Sequence, residues 1–265
     1  MRTADVVVVG AGVAGLALAA EVGRQRSVLI IDRLPAVGGV LGYQDEVVRA
    51  LQREADDAGA NFLLGTTALR WADKRLLVAG PNGIQWLPAR ELAFCGGSRP
   101  STAGELGIGG DRPAGIFSAT VAVHLMEAGV RLGNHVVVVG SSDWAARAAR
   151  HLERQGAHIS VVLDAGEEPR FGDRHWRGWR LLEVHGAARV NDVVLAQDGF
   201  RQRIGCEAVV LGSHLKPLRN IDGAVCEGRG VTYVQPVAEI IVAGQVAEYA
   251  RAAAVQMLAR MGGRS

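Results

Sequence analysis

Three glycines with the spacing of a phosphate-binding turn lie near the beginning of the chain. The segment Gly10-Ala11-Gly12-Val13-Ala14-Gly15 follows the β-branched run Val6 to Val9 and opens a stretch of small and apolar residues at helical spacing that reaches Gly23. In such a turn the first glycine allows the tight bend, the second lets the backbone approach a pyrophosphate, and the third permits close packing of helix on strand. The N–H groups and dipole of the helix start favour the phosphate charge. The segment predicts a dinucleotide site.

An acidic residue stands where that site needs one. Asp32 follows Gly12 by twenty residues and comes directly after the strand-like segment Ser27 to Ile31. A carboxylate at this position accepts a hydrogen bond from a ribose hydroxyl. A glycine-rich turn without a ligand is the alternative, but the strand, the helix and the acid together favour the dinucleotide.

The composition is that of an ordinary globular protein. Hydrophobic residues make up 49% and charged residues 21% of the 265 residues, and 29 basic residues against 27 acidic ones leave a net charge of +2. A balance so near zero indicates neither a nucleic-acid partner nor an anionic membrane. The 35 glycines indicate many tight turns and close backbone approaches.

Targeting and redox signals are also weak. The apolar run Val6 to Ala20 contains glycines and is too short for a membrane span, so we interpret it as strand, turn and helix. The cysteines Cys95, Cys206 and Cys226 lie far apart without a C-x-x-C spacing, which favours a reducing cytoplasm. The seven histidines show no metal-ligand spacing, and we predict no metal site.

The strand-helix-strand pattern occurs twice. It returns about 130 residues later as the strand His135 to Gly140, a helix to Gln155 and the strand His158 to Asp164. Each copy is followed by short strands and hairpin turns, in Ala68 to Leu87 and again in Val190 to Leu211. The sequence therefore predicts an α/β protein in which each of two dinucleotide-binding-like folds carries a small antiparallel meander.

The end of the chain predicts a strand over Glu239 to Ala243 that runs into Gly244, and a helix over Val246 to Met261. We expect residues 1–112 and 228–265 to form the first, Rossmann-like domain. Residues 113–227 would form the second, reduced domain, inserted within the first.

Five stretches carry a resemblance to a known superfamily. DVVVVGAGVAGLALA, IIDRLPAVGG and LAFCGGSRP resemble the pyridine nucleotide-disulfide oxidoreductases, which are flavoproteins with two dinucleotide folds. GDRPAGIFSATVAVHL and VVVVGSSDWAARAARHLERQGA resemble more particularly the flavin subunits of multi-component amino-acid, opine and cyanide-forming dehydrogenases, and flavoproteins associated with glycerol-3-phosphate dehydrogenase. The similarity extends from Asp5 to the final helix.

The resemblance implies FAD in the first fold. Carried over onto this sequence, the family's contacts fall on Gly10, Gly12, Val13, Ala14, Gly15, Asp32 and Arg33 for the adenosine and pyrophosphate, Gly38 and Gly39 in the next loop, Ala68 at the adenine, and Gly97, Gly244 and Gln245 later in the chain. Where the family has an aspartate for the ribityl chain, Gln245 can still form a hydrogen bond but brings no charge.

The second fold departs from the pattern. Its turn reads Gly140-Ser141-Ser142-Asp143-Trp144-Ala145, which lacks the middle glycine and places at the helix start an acid that repels a pyrophosphate. Either NAD(P) binding is lost there, or Asp164 at the next strand end still meets an NAD ribose.

Two other signals bear on the chemistry. The superfamily's redox cysteine pair is missing, because VLGYQDEVVRAL follows Gly39, and Cys95 is better explained as a small core residue. The segment Pro169 to Arg180 interleaves four arginines with Phe171, Trp176 and Trp179. The tryptophans either cap the second core, with the arginines in solvent, or the segment grips a protein partner, a nucleotide or a nucleic acid.

The leading hypothesis is a flavin subunit of a hetero-oligomeric dehydrogenase or oxidase, whose partner is another flavin or iron–sulfur subunit and whose small-molecule substrate is an amine, imino acid or hydroxy compound. No catalytic residue is identified. A self-sufficient NAD(P)H-dependent flavin reductase is a second hypothesis, and a non-catalytic scaffold that keeps the FAD fold is a third.

Overall fold

The chain is described from a computed structural model that covers residues 4–218, 230–234 and 242–262. These residues divide into two compact units. The first contains residues 4–98, 217–218, 230–234 and 242–262, and the second contains residues 99–216. Cys226 and most of the strand predicted over Glu239 to Ala243 lie outside the described residues.

The first unit is a parallel sheet continued by an antiparallel meander. Its elements up to residue 98 are β1 (Ala4–Val9), α1 (Val13–Gly23), β2 (Val28–Ile31), α2 (Glu46–Asp57), β3 (Asn61–Leu63), β4 (Thr67–Ala72), β5 (Arg75–Gly80) and β6 (Gly83–Phe94). The sheet order is β3-β2-β1-β6-β5-β4. The second half of β6 pairs in parallel with β1, while its first half pairs antiparallel with β5. One long strand therefore joins the parallel sheet to the meander.

The two meander turns have the backbone that hairpins require. At the first turn Asp73 and Lys74 both have positive φ, at 49° and 55°, as in the primed turns that fit the twist of paired strands. At the second turn Gly83, which follows Pro81 and Asn82 and pairs with Gly80, has φ 93°, as a glycine that closes a hairpin turn often has. The predicted meander is therefore present, with its first turn one residue later than expected.

Helix α1 packs at the centre of the first core. Leu16, Leu18 and Val22 are fully buried, and alanines fill the positions between them. Burial of each such large side chain contributes roughly 1.5–3 kcal/mol. The last helix, α5 (Ala243–Gly262), packs on α1 through small residues such as Ala250 and Ala254. Because α1 packs against β1, β2, α2 and α5, these contacts fix the position of its first turn at the end of β1.

The second unit repeats the plan. Its elements are β8 (Gly109–Gly110), β9 (Ile116–Ser118), α3 (Ala119–Glu127), β10 (His135–Val139), α4 (Asp143–Arg154), β11 (His158–Leu163), β12 (Arg174–Arg177), β13 (Arg180–His185), β14 (Asp192–Gln197), β15 (Phe200–Gly205) and β16 (Ala208–Leu211). The order β12-β11-β10-β16-β9 forms a parallel sheet. The strands β15-β14-β13 form the second antiparallel meander, and β8 pairs with β13 in parallel.

Short strands complete the described chain. β7 (Ser98–Arg99) pairs with β17 (Lys216–Pro217), and β18 (Val231–Tyr233) adds to the first sheet beside β6. The α/β class, the two Rossmann-like folds and their meanders are confirmed.

Three details differ from the sequence predictions. Ala243 begins α5 instead of ending a strand, and the aromatic-basic segment contains β12, which pairs with β11. The division falls at residues 98/99 and 216/217, whereas we expected 112/113 and 227/228. Residues 99–112 lie with the second unit because Leu106 and Ile108 pack on its core and β8 pairs with β13.

Candidate functional site

Two of the three glycines of the first turn are required by the fold itself. Gly10 has φ +107°, and a β-carbon there would clash with the carbonyl oxygen of Cys95. A β-carbon on Gly15 would clash with the carbonyl oxygen of Gly10, where the helix lies closest to the end of the strand. These two glycines therefore shape the turn whether or not a ligand binds.

Gly12 is different, because none of the contacts among the described residues requires a glycine there. Its φ of −82° and ψ of −173° suit any residue, and an added β-carbon would lie at an ordinary 3.8 Å from the Cα of Gly39. Among the described residues, only the Cα of Gly39 lies within 4 Å of such a β-carbon, so a bare α-carbon remains at the start of α1. Such a surface lets a ligand approach the backbone closely.

The N-terminus of α1 offers hydrogen-bond donors. Its N-cap, Gly12, has no side chain to cap the helix, and no acidic residue lies in the first turn. By contrast, side chains cap α2 and α3, from Asp45 and Ser118. The first N–H groups of a helix have no partner within it, and together with the helix dipole they favour an anion. Val13, Ala14 and Gly15 supply these groups.

Asp32 lies directly beside the glycine turn. Its Oδ2 accepts the backbone N–H of Ala11 at 2.7 Å, and its Oδ1 accepts the N–H of Leu34 at 2.8 Å. The side chain is partly buried. Each carboxylate oxygen has a further lone pair, so the group can still accept from a sugar hydroxyl.

A second glycine pair lines the turn from the other side. The N–H of Gly38 donates to the carbonyl of Ala11 at 2.8 Å, and Gly38 has φ +118°. Gly39 has φ +57°, and a β-carbon there would lie 3.4 Å from the Cα of Gly12. The predicted residues Gly10, Gly12, Gly15, Asp32, Gly38 and Gly39 are therefore brought together.

The remaining predicted contacts are placed less directly. Gly97 follows β6 with φ +72°, and Ala68 lies in β4 shortly after Thr66, whose N–H donates to the Asp32 carbonyl. Gly244 and Gln245 lie exposed in the first turn of α5, and Arg33 is exposed. The roles of all five toward a cofactor stay predictions.

The described cysteines are not poised for redox chemistry. Cys95 and Cys206 are free and buried, and burial raises the pKa of each thiol to about 12. A thiolate is the reactive form of cysteine, so both side chains are inert near neutral pH. Cys95 instead packs in the first core, as the sequence predicted.

The second turn is arranged in another way. Ser142 caps α4 with its own hydroxyl, and Asp143 in the first turn of that helix pairs with Arg170. Asp164 points toward His214, with 3.5 Å between Oδ2 and Nε2. Sequence reasoning missed two residues of this turn, Arg170 and Glu167. The Glu167 carboxylate accepts a hydrogen bond from the Ser141 hydroxyl. The Arg170–Asp143 and Glu167–Ser141 contacts each join residues more than 25 positions apart, so no local sequence pattern could predict them.

The aromatic-basic segment is engaged within its own unit. Trp176 and Trp179 pack edge to face at 5.3 Å against the second core. Arg174 lies over the ring of Trp176 at 4.3 Å, and Arg177 pairs with Glu168 at 2.7 Å. These contacts favour the interpretation in which the tryptophans cap the core.

No group of three or more His, Cys, Asp or Glu side chains in the described ranges is placed to hold a metal ion. None of the helices within those ranges is long and apolar enough to cross a membrane.

Comparisons with known proteins agree with this geometry. Residues 8–72 match the family described as an NAD(P)-binding Rossmann-like domain. The fold is similar to that of a pyridine nucleotide-disulfide family oxidoreductase from Enterococcus faecalis V583, with a TM-score of 0.62, 18% identity, and coverage of 95% of this chain and 68% of that one. The chain has the fold of the pyridine nucleotide-disulfide oxidoreductases.

Two further structures with this fold are similar over nearly the whole chain. The L-proline dehydrogenase from P. horikoshii has a TM-score of 0.69 and 16% identity, and the match covers 98% of this chain and 56% of that one. The thioredoxin reductase from T. acidophilum has a TM-score of 0.64 and 16% identity, with coverage of 98% and 99%. The chain thus spans just over half the length of the proline dehydrogenase chain. No curated protein matches the sequence significantly.

Proposed function

We propose that the chain binds FAD in its first unit and acts as the flavin subunit of a hetero-oligomeric dehydrogenase or oxidase. The observation that carries the proposal is Gly12, whose missing side chain the described part of the fold does not explain, at a helix start without a side-chain cap beside Asp32. A bare α-carbon, the N–H donors of a helix start and an acceptor for a sugar hydroxyl are the three features that a dinucleotide needs.

Each part of the FAD adenosine diphosphate half has residues that suit it. The N–H groups of Val13, Ala14 and Gly15 hold the pyrophosphate, and Asp32 accepts from the adenosine ribose. Gly39 keeps the opposite wall of the turn free of side chains. When bound, the flavin supplies hydride-transfer chemistry, and the protein binds and orients it.

The proposed substrate class rests on the similarity to a proline dehydrogenase and on the absence of a redox cysteine pair from the sequence. One similar structure is a dehydrogenase of proline, which is an amine. Cys95 and Cys206, with pKa values of about 12, give no support for a disulfide substrate. An amine, imino acid or hydroxy compound is therefore favoured. A partner, another flavin or iron–sulfur subunit, completes the substrate site and accepts the electrons.

An absorbance spectrum of the purified chain, before and after incubation with FAD, tests the proposal. We expect a flavin spectrum and FAD on chromatography of the released cofactor. We also expect no turnover of amine or hydroxy substrates with a dye acceptor by the chain alone, and turnover with its co-expressed partner. A folded chain that takes up no flavin contradicts the proposal. Full activity of the chain alone contradicts its heteromeric part.

A further inference from the structure

The two turns can be compared residue by residue. Gly140 has φ +90° and a neighbour, Ser213, that a β-carbon would strike, so it makes the same tight bend as Gly10. The N–H of Ser141 donates to a carboxylate, Glu167 Oε1, at 3.3 Å, as that of Ala11 does to Asp32. Residues 140–145 therefore stand in the places of residues 10–15.

Ser142 stands in the place of Gly12 and fills it. The residue is fully buried, and its hydroxyl donates to the carbonyl of Gly212. The same oxygen accepts the N–H of Ala145 at 3.3 Å. A first-turn donor that a pyrophosphate would use is thus already bound, and the open space of the first turn holds a side chain instead.

Asp143 and Arg170 form an ion pair at the start of α4. Two N–H groups of Arg170 reach Oδ1 of Asp143, each at 2.9 Å, and one of them also reaches the carbonyl of Ser141 at 2.9 Å. The Asp143 side chain is only 15% exposed. A carboxylate with its own counter-ion therefore already occupies the positive end of α4, where a phosphate would otherwise bind.

Glu167, the acid beside the second turn, also accepts hydrogen bonds from its own unit. Glu167 accepts the hydroxyl of Ser141 at 2.9 Å through Oε1 and the N–H of Asp164 at 2.9 Å through Oε2. Asp164, the residue in the sequence position of Asp32, points toward His214. The second unit therefore has the chain path of a dinucleotide fold but not a free phosphate site at the start of α4.

We infer that the second unit does not bind NADH or NADPH, because Ser142 and the Asp143–Arg170 pair close its phosphate site. It follows, on the proposed function, that a flavin in the first unit is reduced by a donor other than a pyridine nucleotide bound at α4. This disagrees with the role that the second fold has in a reductase driven by NAD(P)H.

Calorimetric titration of NADH and of NADPH into the FAD-saturated chain tests the inference. FAD fills the first turn, so any binding reports another site, and FAD uptake itself tests the proposed function separately. We expect no binding at concentrations up to about 1 mM. Binding that Ser142→Trp removes, in a chain that still folds and holds FAD, overturns the inference.

An opened variant tests the cause. Ser142→Gly with Asp143→Val and Arg170→Ala gives the second turn the Gly-Val pair of residues 12 and 13 and removes the paired arginine. We expect this variant to bind NADH or NADPH at least tenfold more tightly than the wild type. Asp143→Val with Arg170→Ala keeps the Ser142 cap, in case the triple variant fails to fold, and we expect a smaller gain. Arg177→Ala, in the same segment, is the matched control and leaves binding unchanged. Folded variants with no gain contradict the assignment to these side chains.

Discussion

The carboxylate of Asp32 accepts the backbone N–H of Ala11 at 2.7 Å and so ties the end of β2 to the glycine turn that follows β1. One side chain therefore has two roles. It fixes the turn before any ligand arrives, and it presents an acceptor beside the start of α1. On the proposed function, stability and cofactor binding are coupled at this residue.

Replacing Asp32 by alanine should lower both the stability of the chain and its affinity for FAD. Two N–H groups, of Ala11 and Leu34, lose a charged acceptor, which costs about 1.5–3 kcal/mol in the free energy of unfolding of the flavin-free chain. FAD affinity should fall as well. Urea denaturation and a flavin titration measure the two effects.

Asp45→Ala is the matched control for this change. Asp45 also accepts two backbone N–H groups, those of Val47 and Val48, but it caps α2. We expect a loss of about 1 kcal/mol in unfolding free energy and unchanged FAD affinity. Equal losses of FAD in both variants would mean that Asp32 acts through stability alone.

The turn glycines should separate fold from ligand. Among the described residues, the new β-carbon of Gly12→Ala meets only the Cα of Gly39, at 3.8 Å, so the flavin-free chain should lose at most about 1 kcal/mol through the weaker N-cap. On the proposed function the same methyl group would enter the space of the phosphate, and FAD affinity should fall about tenfold or more. Isothermal titration of FAD and urea unfolding measure this.

Gly15→Ala should behave in the opposite way. Its β-carbon would strike the carbonyl oxygen of Gly10, so the strand and helix must move apart at a cost of about 3 kcal/mol. If Gly12→Ala lost stability as Gly15→Ala does and bound FAD normally, Gly12 would be a packing residue and the site would lie elsewhere.

The parts that the sequence predicted share one property: they depend on neighbours along the chain. Helix α1 has the predicted bounds, Val13–Gly23, because the glycine turn and the apolar spacing both lie within a short window. The contacts of Arg170 and Glu167 at the second turn depend on where a later loop folds back, and no local pattern encodes that. Strand β12 was missed because its residues are mostly polar and exposed. β8 was missed because two glycines have no strand preference.

The buried thiols should resist labelling. In a Cys226→Ser background two cysteines remain, Cys95 and Cys206, each with its pKa raised to about 12 by burial. At pH 8 roughly one thiol in ten thousand is then ionised, so a disulfide reagent should modify the native chain very slowly. In denaturant both thiols should react at once. Rapid modification of the native chain would show that a cysteine is open to redox chemistry.

Glu105 should make stability depend on pH at the acid end of the scale. The pKa of the Glu105 carboxyl lies well below its ordinary value of 4.5. The largest cause is a pair of hydrogen bonds from the Arg99 side chain, at 2.8 and 3.0 Å, and the Thr102 N–H and the Lys216 ammonium also donate to the carboxylate. A carboxyl with a lowered folded-state pKa stabilises the fold above its unfolded pKa, and this contribution disappears as the pH falls through the folded value.

Glu105→Gln should therefore be less stable than the wild type at neutral pH, and the difference should shrink as the pH is lowered from 4.5 toward the folded-state pKa. Urea midpoints of both proteins across that range measure it. Glu168→Gln is the control, since Glu168 is 77% exposed and pairs only with Arg177 among the described residues, and such a surface pair contributes little at any pH. A Glu105→Gln deficit that stays constant down to strongly acid pH would show that the carboxylate charge is not what Arg99 and Thr102 stabilise.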